Sequence, residues 1–357
     1  MEKLPKLCVF CGKEPLSKTK EHVIPRWLMQ ITGDMKRKVR FQIFLPEGQE
    51  RNREFAFDSF HFPACDSCNN SDSKLEADAK SVVEKLLSKS EIGQLDWVIL
   101  LDWLDKVRIG IWLGTRYLDK NYVAVEPLFH IADRVGTKDR SLIIVRAKQG
   151  QRLSFFGSNS LAFRLMPSCF GLLINDIGLV NVSREFLLSR RLGFPFGTDA
   201  RTEPSGLHSY VPAAGRERVM RPPLSFPAAT FGTAIHQCIF KDWQNSTEPG
   251  LWETDYVRSN SWNHDEGLSV PFMENQSGAI SVCSAKPSAE WVPKYVFESN
   301  KFSGQHLARI CFDLQEKLWN TGQASIADKS ERKNFVALER LLRNELRAMR
   351  TAIKDMQ

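Results

Sequence analysis

The sequence predicts an α+β protein in three parts. These are a zinc-pinned N-terminal module over residues 1–90, a larger mixed α+β domain over 91–300 and a C-terminal helical segment over 301–357. Three observations carry this expectation. Two Cys-x-x-Cys pairs, Cys8/Cys11 and Cys65/Cys68, bracket residues 12–64, and each pair can supply two thiolates from one tight knuckle to a tetrahedral zinc ion. Short runs of period-two hydrophobicity recur between 141 and 182. Long stretches of helical periodicity stand at 94–118 and at the C-terminus.

Taken in order, the first knuckle leads through Ser17 and Thr19 to Glu21-His22, where Pro25 stops any strand. Trp27, Leu28 and Ile31 have the spacing of a short helical turn. Phe41–Phe44 and Phe55–Phe57 alternate in period two around Pro46-Glu47-Gly48 and read as a hairpin inserted between the motif halves. From Asp72 onward Leu75, Ala79, Val82, Val83, Leu86 and Leu87 share one helical face. That helix is expected to begin near the last knuckle, with Asn69 or Asn70 at its N-terminal end. Ile92-Gly93 breaks the pattern and marks a domain boundary.

Residues 94–118 carry a wide apolar stripe, with Gly110 and Gly114 predicting close approach of another element. Residues 141–145, 153–156, 162–165 and 169–174 read as strands, and 182–192 as a short helix capped by Ser183. From Pro195 to about Pro293 the periodicity is poor. Trp243, Trp252, Trp262, Phe226, Phe231 and Phe272 nevertheless argue for ordered, loop-rich structure. His236, Cys238 and His264-Asp265 in this stretch match no recognisable ligand spacing and read as structural. Helices are expected over 305–318 and 329–356; the last reads first as docked on its own domain, then as an interface for a second copy or a partner helix, and last as a DNA contact.

Composition narrows the classes. Hydrophobic content of 42% and charged content of 25% match an ordinary globular protein, and a net charge of +7 has the sign a nucleic-acid partner requires. Cys169, Cys238, Cys283 and Cys311 are isolated, as buried reduced thiols are. The N-terminus lacks the apolar core of a signal peptide, and the longest apolar run, Trp97–Leu101, is too short to span a bilayer. A reduced, cytoplasmic protein with no membrane partner is the expectation. No Walker, dinucleotide or nucleophile-elbow motif is present.

Cys8-Val-Phe-Cys11-Gly12, Thr19-Lys-Glu-His-Val-Ile-Pro-Arg-Trp-Leu28 and Cys65-Asp-Ser-Cys68-Asn69-Asn70 together resemble the HNH (ββα-metal) endonucleases. The resemblance covers about the first 80 residues. It implies a treble-clef-like module in which Cys8, Cys11, Cys65 and Cys68 hold a structural zinc. It further implies His22 as the general base that activates water, with Glu21 and Asn69 holding Mg²⁺ or Mn²⁺ on the scissile phosphate. The family's middle asparagine falls where this chain has Phe60, between Ser59 and His61. Because Asn69 offers only an amide oxygen, Asn70, Asp72 or Glu76 are further candidates for the metal.

Lys36, Arg37, Lys38 and Arg40 form a basic cluster inside the module, suited either to a phosphate backbone or to a solvated hairpin arm. The implied substrate is nucleic acid, double-stranded DNA before RNA. The layout of a small nuclease-like module on a long second region is similar to bacterial HNH effectors of anti-phage defence or restriction. The alternative is a four-cysteine zinc module that binds nucleic acid or protein without cutting.

Overall fold

Strand β1 (Thr19–His22) is followed by helix α1 (Arg26–Ile31), the hairpin of β2 (Lys38–Phe44) and β3 (Glu50–Ala56), strand β4 (His61–Ala64) and helix α2 (Asp66–Ser88). The computed structural model describes residues 7–15, 19–44, 50–56, 61–118, 127, 129–185, 187–188, 196–202, 208–213, 232–238, 270–298, 300–323 and 329–355. β1 and β4 pair antiparallel in the register Thr19↔Ala64 to His22↔His61, so the inserted β2–β3 hairpin leaves from and returns to one two-stranded ribbon. The expected turn at Pro46-Glu47-Gly48 lies outside the described residues. α2 starts directly after Cys65 and buries Ala79, Val82, Val83 and Leu86; Lys89, in the left-handed region at φ 57°, ends it.

Helix α3 (Gln94–Leu118) begins one turn later and is buried almost all round. Gly110 and Gly114 bring it against the β1–β4 ribbon. A Cβ on Gly110 would lie 2.8 Å from Val23, and one on Gly114 would clash with the edge of the Phe62 ring. The hydrophobic core runs without a break from Val23, Leu28 and Phe62 through Leu100, Trp103 and Ile111 of α3 to Leu142, Phe170 and Ile235. It is therefore continuous across the expected boundary at Ile92-Gly93.

The larger sheet contains β5 (Asp139–Ala147), β6 (Leu153–Phe156), β7 (Cys169–Ile174) and β8 (Ile177–Arg184). Between β6 and β7 lies the short helix α4 (Leu161–Leu165). A separate antiparallel pair, β9 (Phe196–Thr202) and β10 (His208–Ala213), precedes β11 (Gly232–Gln237), β12 (Phe272–Glu274) and β13 (Ile280–Val282), which rejoin the sheet. The strand order is β13-β12-β11-β5-β8-β7-β6, antiparallel throughout, and β14 (Val296–Phe297) adds a parallel pairing to the end of β5.

Alternation along β5 explains the layering: Leu142 and Ile144 join the core of α3, whereas Ile143 and Val145 face helix α5 (Asn300–Gln323). Helix α6 (Lys329–Asp355) packs on α4 and α5. The layers run four-cysteine module and α2, α3, sheet, α5, α6.

Three expectations are corrected. Residues 162–165 form α4 rather than a strand, because Ser160 accepts the Phe163 N–H and caps a helical turn. Ser183 does not open a helix; β8 runs through it to Arg184, paired on both sides and buried along nearly its whole length. The stretch from 195 to 293 contributes β11, a central strand. Its side chains are buried on both faces, so the alternation that marks a half-exposed strand is absent. Phe226, Phe231, Trp243, Trp252, Trp262 and His264-Asp265 lie outside the described residues.

Candidate metal centre

The first knuckle is a turn closed by Gly12 N–H to Cys8 C=O at 2.9 Å and Cys8 N–H to Lys13 C=O at 2.8 Å. Gly12 takes φ 70°, and a Cβ there would lie 2.5 Å from the His130 ring. Val9 N–H donates to Pro63 C=O at 3.0 Å, which fixes the knuckle beside β4. The second pair sits at the start of α2, with Cys65 in its N-cap position and Cys68 in its first turn.

The four Sγ atoms of Cys8, Cys11, Cys65 and Cys68 lie within 4.8 Å of one another, and Cys11 and Cys65 are 3.9 Å apart. Zn–S bonds of about 2.3 Å in a tetrahedron require sulfurs about 3.8 Å apart, so the donor set fits zinc. Burial opposes ionisation of Cys8, but backbone N–H groups of Cys11, Cys65 and Phe10 outweigh it and lower this thiol. Burial and the crowding of neighbouring sulfurs push Cys65 up to about 11 and Cys68 up to about 12. Sulfurs this close resist joint ionisation, and a divalent cation removes that obstacle.

Regular pairing of β1 with β4 sorts the neighbouring side chains by face. Thr19 and Glu21 share the inner face with Ala64 and Phe62. Lys20 and His22 share the outer face with Pro63 and His61. His22 and His61, opposite one another in register, meet edge-to-face with ring centroids 5.7 Å apart. Phe60 and Ser59 lie outside the described residues.

Glu21 points the other way. Its carboxylate lies 2.9 Å from Lys106 Nζ of α3, a side chain only 1% exposed that also binds Asp72 and Glu76 of α2. Trp27 Nε1 donates to the second oxygen of Glu76 at 2.9 Å. Burial disfavours the ammonium, but Glu76, Glu21 and Asp72 outweigh it and raise the Lys106 pKa. Burial holds the Glu21 carboxyl above its usual range despite the attraction of Lys106.

Carboxylate oxygens of Glu21, Asp72 and Glu76 lie within 4.8 Å of one another, a donor set of the kind hard divalent cations take. Lys106 supplies the positive charge at its centre. Asn69, half-buried in the first turn of α2, stands one and two turns before Asp72 and Glu76 on the same helical stripe; Asn70 is exposed.

The structure thus brings Glu21 together with Asp72 and Glu76, and His22 together with His61, on opposite faces of one ribbon. Lys106 was not legible as a partner; its only signal is a cation inside an otherwise apolar helical stripe. The basic cluster is partly committed: Arg37 donates to Thr32 C=O at 2.8 Å, and Lys38 lies 3.8 Å from Glu54. Lys36 is exposed, and Arg40 lies in β2, its side chain outside the described set. His236, singled out above, hydrogen-bonds Ser141 at 2.9 Å and Glu274 at 3.1 Å within the sheet.

Compared with known proteins, the chain matches no family model, no curated protein and no solved structure. Among the described residues no helix is long and apolar enough to cross a membrane.

Proposed function

We propose that the N-terminal module acts on nucleic acid as a metal-dependent endonuclease of the HNH kind, with His22 as general base. One observation supports this reading above others: His22 ends the first strand of a two-stranded ribbon that runs directly into a helix with Cys65 at its N-cap and Cys68 in its first turn. On this reading the four thiols hold a structural zinc that fixes the ribbon against α2. His22 takes a proton from water, and His61 orients its ring from the facing strand. Mg²⁺ or Mn²⁺ would stabilise charge on the scissile phosphate, with Glu21, Asn69, Asp72 and Glu76 as the candidate ligands. Glu21 reaches the phosphate attacked from His22 only if the end of β1 leaves its regular strand. Double-stranded DNA is the proposed substrate, with Lys36 and its neighbours along the backbone.

A second reading is favoured by the Lys106 cluster. With Glu21 neutralised on the face opposite His22, the module would be a zinc-held platform that binds nucleic acid or protein without cutting.

Incubating purified protein with plasmid, linear duplex, single strands and RNA, each with Mg²⁺, Mn²⁺ or EDTA, separates the two. The nuclease reading expects metal-dependent cutting that falls about 10²–10⁴-fold in His22→Ala with zinc content unchanged. Undiminished cutting by His22→Ala moves the base to His61. No cutting by the parent protein under any metal leaves the binding platform. A role in bacterial anti-phage defence or restriction is proposed from the layout, and equal phage plating on cells expressing parent and His22→Ala protein would remove it.

A further inference from the structure

We infer that the outer face of α6 is a second nucleic-acid-binding surface, one that grips the phosphate backbone of a duplex on the side of the molecule opposite the candidate metal centre. The helix segregates its charges. Its apolar side, with Leu342, Leu346 and Met349, is buried with Ala162 of α4 and Phe312 of α5, so the chain covers it itself. Its two acids with described side chains both turn inward. Glu345 accepts the Leu161 N–H at 2.7 Å and pairs with Arg164 at 3.1 Å; Glu339, only 5% exposed, pairs with Arg343 at 2.6 Å. Arg350 is held by Asp313 at 2.8 Å and by Glu316. Every charged side chain described as exposed on this helix is therefore basic: Arg332, Lys333, Arg340, Arg343 and Arg347.

Lys333, Arg340 and Arg347 recur every seventh residue, which places them in one row along the helix, about 10 Å apart and about 20 Å from end to end. Among the described residues none of these three has an ion-pair partner. Val336, Glu339, Arg340, Arg343, Asn344 and Arg347 also line a depression of about 280 Å³, in which the one acid, Glu339, is held by Arg343. Charge complementarity selects the occupant. Among the described residues of this helix, the exposed large apolar side chains are Val336 and Leu341, too few for a packed partner helix. A straight row of cations held by a helix fits a stiff polyanion, whereas a flexible acidic peptide or single strand must lose chain entropy to follow it. The sheet and α5 separate this row from β1, β4 and α2. Binding here is accordingly independent of whether the module cuts.

The test is duplex binding by the full-length, zinc-loaded protein, followed by fluorescence anisotropy of a labelled duplex in EDTA-free buffer without added Mg²⁺ or Mn²⁺ across a salt series. Arg340→Glu/Arg347→Glu should weaken binding at least about tenfold and flatten the dependence of log Kd on log salt by about two, the slope carried by two phosphate contacts. Lys286→Glu/Lys294→Glu, an equal charge change at exposed sites elsewhere, should leave both quantities near the parent values. The milder Arg340→Gln/Arg347→Gln should fall between, which guards against misfolding of the reversal. Loss of equal size in the Lys286/Lys294 control, an unchanged slope in the Arg340/Arg347 variants, tighter binding of single strands than of duplex, or no binding by the parent protein would each overturn the inference. The readout is binding without a catalytic metal, so failure of the nuclease reading leaves this result distinguishable.

Discussion

A single ammonium ion decides how the candidate site is wired. Lys106 is almost fully buried between Glu21, Asp72 and Glu76, so its removal leaves three carboxylates facing one another without compensation. Breaking one partner out of a buried ionic cluster costs about 3–5 kcal/mol. Lys106→Met should therefore lower stability by that order near neutral pH.

The pH dependence has a definite sign. The folded-state pKa of Glu21 already lies above its unfolded value, so its protonated form favours folding. Its stabilising contribution is complete below the unfolded carboxylate pKa and is lost as pH rises through the raised folded value. Without Lys106 the pKa rises further, and the deficit of Lys106→Met should shrink on acidification through the carboxylate range. Denaturant midpoints of parent and variant on either side of that range check this; a deficit independent of pH would show that the lost interaction is packing rather than charge.

Among the elements, the β1–β4 ribbon and α3 depend on two glycines that carry no conformational demand, only a demand for space. Gly114 accommodates the Phe62 ring and Gly110 the Val23 side chain. Gly114→Ala gains intrinsic helix propensity of about 1 kcal/mol but forces the ring or the ribbon to move. Overpacking of this kind costs about 1–3 kcal/mol, so a net loss of stability is expected, with the helix content unchanged by circular dichroism. Increased stability would mean that the ribbon shifts freely, and with it the position of His22. The spacing of Gly110 and Gly114 made the close approach legible. Which strand approaches was not, because Phe62 and Val23 reach them through tertiary pairing.

For the molecule as a whole, α3 is the shared wall. One side closes the four-cysteine module, and Asp102 and Asp105 bind Arg140 of the sheet at 2.5 and 3.0 Å. Loss of zinc should therefore travel. Metal analysis is expected to find about one zinc per chain, and chelation should shift the main calorimetric transition downward rather than create a separate early melt. A chelated protein that keeps the full transition of the sheet would show the module folding on its own account. Cys65→Ser should reproduce the effect of the chelator.

Local signals read correctly wherever a residue's role depends on its near neighbours in sequence. Cysteine spacing gave the four-sulfur cluster, and 3.6-residue periodicity gave α3, while two-residue alternation gave the β2–β3 hairpin and much of β5 to β7. The α+β class followed from these together. Tertiary structure decided what spacing leaves open. It capped 161–165 into a helix through Ser160, and it buried β11 on both faces, erasing the alternation by which strands are recognised. The same holds at the site. Sequence placed Glu21 beside His22, but strand geometry sends adjacent side chains to opposite faces, and only the approach of α3 determined that Glu21 would meet Lys106.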